Sequence, residues 1–261
     1  MTGVAQDFAG RVALVTGTSG MGLAAALRLA RGGARVHLCG VDAASNAAAA
    51  EAARGLPVAV HLCDIAQDDQ VAGWVDDVMV DETGIDILVN AAGIQTYGDL
   101  ETTTIADWDR VMGVNLRGAF LTSHFCWPHM KGRRGAIIHI SSVQGHANQF
   151  GVLGYATTKG AVHAMTRAMA VDCAKHGIRV NSISPGSVRT PLLEYGAAQL
   201  AKPGETMEDM IATFGAAHPV GRVGTVEEVA EMVAYLCSDA AAFVTGADFR
   251  IDGGLTAWLG V

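Results

Sequence analysis

The chain has 261 residues, of which 50% are hydrophobic and 17% are charged, and its formal net charge is −8. This length and composition fit a single large globular domain over residues 1–261 and exclude extensive disorder. The acidic balance and the lack of a basic run disfavour binding to nucleic acid or to an anionic membrane surface.

No segment of the sequence reads as a targeting or membrane-spanning signal. Residues 1–10 lack the positive start and apolar core of a secretory signal, and no apolar stretch approaches the roughly 20 residues that cross a bilayer. The five cysteines form no Cys-x-x-Cys pair, which is typical of a reducing compartment. We therefore expect a soluble, cytoplasmic protein.

One short stretch brings several possible metal ligands together. His124, Cys126 and His129 are close in sequence, but their spacing matches no familiar zinc motif. We predict that the cysteines pack in the core and that the protein holds no metal.

Apolar segments of strand length alternate along the chain with segments of helical composition and periodicity. The predicted strands cover residues 11–16, 34–39, 58–63, 85–89, 136–140, 179–183 and 243–251, and the predicted helices cover residues 22–31, 43–54, 71–80, most of 105–129, 155–176 and 226–236. This alternation predicts an α/β fold with a Rossmann-like, doubly wound parallel sheet flanked by helices on both faces. Residues 191–219 have weak periodicity, and we expect a lid or substrate loop there.

A glycine-rich turn follows the first predicted strand. It contains Gly17, Ser19, Gly20, Met21 and Gly22. Glycines at this place permit a tight turn, and exposed amides at the start of the next helix can bind a pyrophosphate. An ordinary glycine-rich turn would look the same in isolation, but the position between a strand and a helix favours a dinucleotide site.

Tyr155 and Lys159 lie one helical turn apart, and Ser142 follows a predicted strand. Transfer of a hydride to or from a carbon that carries oxygen needs a partner proton transfer, which a tyrosine can supply. A free tyrosine has a pKa of about 10, so we expect the ammonium group of Lys159 to lower it. Ser142 would bond the substrate oxygen, and Asn115 would position a water between Lys159 and solvent. Each residue alone has an ordinary structural alternative.

These residues fall in the order of the short-chain dehydrogenase/reductase family, which the chain resembles over nearly its whole length. The resemblance rests on residues 10–17, Asn90-Ala91-Ala92-Gly93, Asn115, the set of Ser142, Tyr155 and Lys159, Pro185-Gly186 and Asp252-Gly253-Gly254. It implies an NAD(P)-dependent alcohol dehydrogenase or ketone reductase. One departure is a glycine turn one residue shorter than the family's Thr-Gly-x-x-x-Gly-x-Gly pattern, and we expect that turn to rearrange and still bind cofactor.

The resemblance also implies particular cofactor contacts. Asp64 and Ile65 would hold the adenine, Asn90 would stabilise the central sheet, and Gly93 beside Ala91 would let the backbone approach the cofactor closely. Around the nicotinamide and its ribose, the resemblance implies contacts from Tyr155, Lys159, Pro185, Gly186, Val188 and Thr190.

The end of the second strand bears on the choice of cofactor. Gly40 stands where NAD-preferring relatives carry an acidic residue for the ribose hydroxyls, and Val41 stands where phosphate-preferring relatives carry an arginine. Asp42 comes two positions late and suits the N-cap of the following helix. Because Asp42 could still turn inward and repel a phosphate, the sequence favours NAD(H) and leaves NADP(H) open.

Residues that follow strands or open the segment 191–219 are candidates for a substrate pocket. They are Gln95, Ser142, Gln144, His146, Tyr155, Leu192, Leu193 and Tyr195. A sugar or polyol, a cyclic alcohol, a steroid and a ketoacid derivative all remain possible substrates. The resemblance, together with the apolar tail at 255–261, implies a homotetramer.

Two other functions remain open. A catalytically silent nucleotide sensor or scaffold on the same fold would account for the shortened turn and the missing ribose acid. The set of Asn115, Ser142, Tyr155 and Lys159 argues against it, because a sensor needs no proton donor. A dehydratase or epimerase is the weaker alternative, since such relatives often have longer chains.

Overall fold

The structure is a computed structural model that describes residues 7–259. The expectation about a signal sequence therefore falls partly outside the described residues, because it includes residues 1–6. The last two residues of the apolar tail, 260–261, also lie outside them.

One parallel sheet organises the described residues. Its strands are β1 (Val12–Thr16), β2 (Arg35–Gly40), β3 (Val58–Leu62), β4 (Ile87–Asn90), β5 (Ala136–Ile140), β6 (Arg179–Pro185) and β7 (Asp248–Ile251). The seven strands lie in the order β3-β2-β1-β4-β5-β6-β7, and every paired neighbour is parallel. The predicted doubly wound fold is confirmed.

Helices cover both faces of the sheet. They are α1 (Gly20–Arg31), α2 (Ala43–Ala52), α3 (Asp68–Asp81), α4 (Ile105–Met112), α5 (Gly118–Met130), α6 (Leu153–Ala174), α7 (Pro191–Leu200), α8 (Met207–Ala216) and α9 (Val226–Cys237). A π-helical turn, Gly113–Arg117, joins α4 to α5, and a 3₁₀ turn, Val143–Gly145, follows β5.

The two faces have separate hydrophobic cores. Buried side chains of α1, α2 and α9 pack against one face, and those of α3, α5 and α6 pack against the other. The small side chains of α1, such as Ala25 and Ala26, are fully buried. β1, β4 and β5 are buried along their whole length, which explains their uninterrupted apolar sequences.

Two predicted segments differ from the structure. Residues 191–219 contain α7 and α8 where we expected a loop. Thr190 and Thr206 cap these helices, and Pro203 and Gly204 separate them, so two short helices leave no continuous periodicity. The last strand begins at Asp248, later than the predicted residue 243, because Gly246 adopts a φ of 76° that a strand does not allow.

The other predicted strand and helix boundaries differ from the observed ones by at most about three residues, as expected where helix ends fray. Among the helices in residues 7–259, none has both the length and the apolar character that crossing a membrane requires.

Candidate functional site

Two adjoining clefts open at the carboxyl ends of the strands. The glycine-turn cleft has a volume of about 290 Å³ and is lined by residues that follow β1 to β4. The tyrosine cleft has a volume of about 140 Å³ and is lined by residues that follow β4, β5 and β6 and by side chains of α7 and α8. Met21, Thr190 and Leu192 line both clefts, so one elongated ligand could occupy the two together.

The glycine turn is tight because its backbone atoms approach each other closely. Gly17 and Gly20 adopt φ values of 97° and 53°, which favour glycine. A Cβ atom on Gly22 would lie 2.2 Å from the carbonyl oxygen of Gly17, so only glycine fits there. Ser19 precedes α1 without a side-chain cap hydrogen bond, which leaves the first amides of the helix available to an anion.

The shortened turn places Thr18 against the end of β2. The Thr18 side chain is buried, and a Cβ atom on Gly40 would lie 2.3 Å from its Oγ1 and 2.6 Å from Oδ1 of Asn46. Asn46 is itself fixed, because its Nδ2 donates hydrogen bonds to the carbonyl oxygens of Gly40 and His61. Thr18 therefore occupies the space beside position 40, and a larger residue there would displace it.

The end of the glycine-turn cleft beside β2 and β3 is acidic. Oδ1 of Asp42 accepts a hydrogen bond of 2.7 Å from the backbone nitrogen of Ser45, so Asp42 caps α2 as expected. The side chain of Ser45, and then its backbone nitrogen, lower the pKa of the Asp42 carboxyl group. Asp42, Asp64 and Ile65 all line the cleft. Within residues 7–259, the lining of this cleft includes no lysine or arginine that could pair with a phosphate.

Thr16 and Asn90 fix the segment that follows β4. Oγ1 of Thr16 accepts hydrogen bonds from the backbone nitrogens of Ala91 and Ala92 at 3.1 and 3.0 Å. Asn90 is buried, and its amide bonds Thr122 and Ser123 on α5. Asn90 thus supports the sheet from beneath the cleft, whereas Ala91 and Gly93 line the cleft itself.

Tyr155 and Ser142 come together in the tyrosine cleft. Both side chains line the cleft, and Oγ of Ser142 accepts a 3.1 Å hydrogen bond from the backbone nitrogen of Gln144. Lys159 is buried beside them, where its Nζ donates a 2.9 Å hydrogen bond to the carbonyl oxygen of Ile140 and lies 5.4 Å from the centre of the Tyr155 ring.

Asn115 lies in the π-helical turn and holds the segment after β4. Its Oδ1 accepts a 2.8 Å hydrogen bond from the backbone nitrogen of Ile94, and its Nδ2 donates to the carbonyl oxygen of Ile94 at 2.9 Å and to Thr158 at 3.2 Å. Interruptions of this kind in α-helices are frequent at functional sites. A Cβ atom on Gly93 would lie 3.3 Å from Oδ1 of Asn115 and 3.7 Å from Nζ of Lys159, so Gly93 leaves room beside both groups.

The pKa of Tyr155 differs from the sequence-based expectation. Burial raises it above its ordinary value, and the nearby Ser142 side chain offsets only part of this effect. Burial also lowers the pKa of Lys159 to about 8, so the lysine is a weaker cation than we expected. The expectation that the pKa of Tyr155 lies below its ordinary value is therefore not met, because burial of the phenol dominates.

The segment after β6 contributes to both clefts. Gly186 and Val188 line the tyrosine cleft, and Thr190 lines both, whereas Pro185 ends β6 and lines neither. Oγ1 of Thr190 accepts a 3.1 Å hydrogen bond from the backbone nitrogen of Leu193 and so caps α7. A Cβ atom on Gly186 would lie 2.7 Å from Nε2 of His218, so a residue with a side chain would collide with His218 at this position.

The substrate candidates divide into two groups. Gln95, Gln144, Leu192 and Leu193 line the tyrosine cleft, as predicted. His146 and Tyr195 do not, and for these two residues the positional prediction is not met. Nε2 of His146 is hydrogen-bonded to Oδ2 of Asp248 at 2.8 Å. The ring of Tyr195 is half-exposed, and its centre lies 6.5 Å from that of the Tyr97 ring.

Sequence reasoning missed several lining residues. The polar ones are Tyr97, Gln149 and Ser187, and the apolar ones are Val143, Leu200, Phe214 and Leu255. Burial raises the pKa of Tyr97 to about 12, so its hydroxyl stays protonated. Gly196 permits this position, because a Cβ atom on it would lie 2.4 Å from the Tyr97 hydroxyl. Tyr97 follows β4 by a few residues, as Gln95 does, so the criterion that selected residues following predicted strands could also have found Tyr97.

Comparison with known proteins identifies the family. A family model described as Enoyl-(Acyl carrier protein) reductase matches residues 15–256. Meso-2,3-butanediol dehydrogenase of Serratia marcescens is 36% identical over 96% of each chain, and cis-4-hydroxycyclohexanecarboxylate dehydrogenase of Sinomonas cyclohexanicum is 38% identical over 97% of this chain and 99% of the other.

A solved structure agrees with these relatives. The crystal structure of a short-chain type dehydrogenase/reductase from Mycobacterium marinum superposes with a TM-score of 0.87 at 35% identity, covering 97% of this chain and 98% of the other. The chain belongs to the short-chain dehydrogenase/reductase family. The named relatives are dehydrogenases, which supports an oxidoreductase, and dehydrogenases of this family use nicotinamide cofactors.

The contact between Thr18 and position 40 generates the first prediction. Gly40→Ala should lower the free energy of unfolding by about 1–3 kcal/mol, because the added methyl group overlaps Thr18 and Asn46. Denaturant unfolding measures this. The matched control is Gly73→Ala on the exposed face of α3, where no atom lies within 4 Å of the added Cβ. Gly73→Ala should raise the free energy of unfolding by about 0.5–1 kcal/mol. Equal changes in the free energy of unfolding at both sites would contradict the packing of Thr18 against Gly40.

Proposed function

We propose that this protein is a nicotinamide-dependent oxidoreductase that interconverts a small neutral alcohol and its ketone. The observation that carries the proposal is that Tyr155 and Ser142 line one cleft, and that this cleft adjoins the glycine-turn cleft. A proton-transferring group thus lies next to a place that suits a dinucleotide.

The glycine-turn cleft fits the dinucleotide. Free amides at the start of α1 suit the pyrophosphate, and Asp42 and Asp64 suit hydroxyl and amino donors of the adenosine. The residues that would hold the cofactor are Gly17, Ser19, Gly20, Met21, Gly22, Asp42, Asp64, Ile65, Ala91, Gly93, Tyr155, Lys159, Gly186, Val188 and Thr190, with Asn90 and Pro185 supporting them from the ends of β4 and β6. When bound, the cofactor would supply or accept the hydride.

The residues of the chain would move the proton. In alcohol oxidation, the Tyr155 oxygen takes the proton of the substrate hydroxyl as the hydride leaves the carbon, and in ketone reduction it returns a proton to the carbonyl oxygen. The Ser142 hydroxyl donates a hydrogen bond to the same substrate oxygen and stabilises the negative charge that develops on it.

Lys159 and Asn115 support this proton transfer. A positive charge on Lys159 favours the phenolate of Tyr155, and its hydrogen bond to Ile140 holds the ammonium group beside the ring. Asn115 braces the backbone of Ile94 at the inner wall of the site, and we propose that it also positions a water near Lys159.

The lining of the tyrosine cleft suggests the substrate class. Within the described residues, the lining contains no aspartate, glutamate, lysine or arginine. A carboxylate or phosphate on the substrate would therefore find no cationic partner. Gln95, Gln144, Gln149 and Tyr97 instead offer neutral hydrogen bonds to hydroxyl groups. The volume of about 140 Å³ favours a small diol or cyclic alcohol over a steroid.

The role of Tyr155 can be tested by removing its hydroxyl. The wild type is first assayed with NAD⁺ on neutral secondary alcohols, including cyclohexanol, and on the matching hydroxy acids. Tyr155→Phe should fold and bind the cofactor, but its turnover number should fall by about 10²–10⁴-fold, because only the transferable proton is removed. Wild-type oxidation should accelerate with rising pH, since burial raises the pKa of Tyr155 and only the phenolate accepts the proton.

The control for this experiment is Tyr195→Phe, because Tyr195 lies outside the tyrosine cleft. Its turnover should match that of the wild type. Near-normal turnover of Tyr155→Phe would contradict the assigned role. Cofactor binding by the wild type without turnover of any alcohol or ketone would favour the catalytically silent sensor.

We propose that the protein prefers NAD(H) to NADP(H). Among residues 7–259, two carboxylates and no cation line the end of the glycine-turn cleft beside β2 and β3, where the adenosine would lie. Val41 is 68% exposed and lines this end. Val41→Arg should therefore raise the ratio of kcat/KM for NADP(H) over NAD(H) by about 10–100-fold, the equivalent of one charged hydrogen bond. Val41→Gln is the neutral control and should leave the ratio nearly unchanged. A wild type that already prefers NADP(H) would contradict the proposal.

We also propose a homotetramer. Exposed apolar side chains lie on helices that the family resemblance assigns to subunit contacts, such as Val171 on α6 and Tyr235 on α9, and Trp258 and Leu259 are exposed in the tail. Burial of these side chains would remove apolar surface from water. Light scattering should give four times the mass of one chain, and the mass of a monomer would rule out this assembly.

A further inference from the structure

Three side chains that the proposed mechanism does not use converge outside both clefts. They are His146 after the 3₁₀ turn, His163 on α6 and Asp248 at the start of β7, and we call them the His-His-Asp cluster. One ligand atom from each lies within 4.8 Å of the other two. These residues are distant in sequence, so no local zinc motif signals the cluster.

The two imidazoles point their nitrogens at one carboxylate. Nε2 of His146 lies 2.8 Å from Oδ2 of Asp248, and Nε2 of His163 lies 3.4 Å from Oδ1 of Asp248. The two rings are stacked with their centres 4.3 Å apart. Donors around a tetrahedral zinc ion at bond lengths of about 2.0–2.1 Å are separated by about 3.3 Å, so small side-chain shifts would complete the site.

The surroundings of Asp248 are those of a supported metal ligand. The hydroxyls of Ser182 and Ser184 donate hydrogen bonds of 2.6 and 2.8 Å to Oδ1 of Asp248, and Ser184 also contacts Nε2 of His163 at 2.9 Å. Carboxylates that ligate metals are commonly oriented by such hydrogen bonds. The side chains of His163 and Asp248 are 5% and 16% exposed, whereas His146 is 38% exposed and gives an ion access from solvent.

From this arrangement we propose that His146, His163 and Asp248 bind one divalent transition-metal ion of the zinc type. Two imidazole nitrogens and one carboxylate oxygen are donors that zinc accepts, and a water would complete a tetrahedron. Hard ions such as Mg²⁺ and Ca²⁺ prefer oxygen donors and are disfavoured.

The position of the cluster gives the ion a structural role. His146 is four residues after Ser142, and His163 is one helical turn after Lys159. A Cβ atom on Gly145 would lie 2.5 Å from Cε1 of His163, so the turn already packs directly on this histidine. A bound ion would fix the Ser142 segment to α6 and β7 without entering either cleft.

The test uses the full-length chain, freed of metal by a chelator and carrying no histidine tag. Cobalt(II) replaces zinc as a spectroscopic probe, because tetrahedral cobalt absorbs visible light. The wild type should bind one equivalent of cobalt with a tetrahedral spectrum that zinc abolishes, and zinc should raise its melting temperature. Loss of a residue that only hydrogen-bonds to a metal ligand lowers metal affinity by about 10–100-fold. Because His146 would be a ligand itself, His146→Gln should lower the affinity for cobalt at least that much.

Two further variants make the result decisive. Asp248→Asn keeps the shape of the side chain and should also lose the cobalt spectrum. His124→Gln removes an exposed histidine on α5 and should leave the spectrum and the affinity unchanged. No tetrahedral cobalt spectrum in the wild type, or an equal spectrum in His146→Gln and Asp248→Asn, would overturn the proposal. The readouts require no enzyme activity, so the proposed function can fail independently.

Discussion

The pairing of β1 with β2 on one side and β4 on the other determines where a ligand can bind. α1, which follows β1, packs on one face of the sheet, and α5, which comes after β4, packs on the opposite face, so a crevice opens between them at the carboxyl ends of the strands. Thr16 ends β1 at this point and bonds the backbone that follows β4. The glycine-turn cleft depends on this junction, because most of the residues that line it follow β1 to β4.

Two departures from the family pattern are coupled by a physical contact. The glycine turn is one residue short, and β2 ends in Gly40 where a ribose-binding acid is usual in NAD-preferring relatives. In the structure, Thr18 of the short turn fills the space next to Gly40, so an acidic side chain at position 40 would collide with it. The short turn and Gly40 are therefore sterically coupled, and Asp42 supplies negative charge to the cleft from a position two residues later.

Burial has opposite consequences for the two titrating groups of the site. It raises the pKa of Tyr155 and lowers that of Lys159, which disfavours the charged form of each side chain. The ordered spacing of these residues predicted their proximity correctly, since a separation of four places both on one helix face. Spacing could not predict the direction of the pKa shift of Tyr155, because the shift depends on how much protein surrounds the phenol.

The sequence by itself determined the alternation of strands and helices, the position of the glycine turn and the shared helix face of Tyr155 and Lys159. Each of these follows from local periodicity and backbone preference, which neighbouring residues fix. The contact of Tyr97 with Gly196, the Thr18 packing and the convergence of His146 with distant ligands were decided only by the tertiary structure. These contacts join segments far apart in the chain, and their geometry depends on how helices pack across the ends of the sheet, which no local pattern specifies.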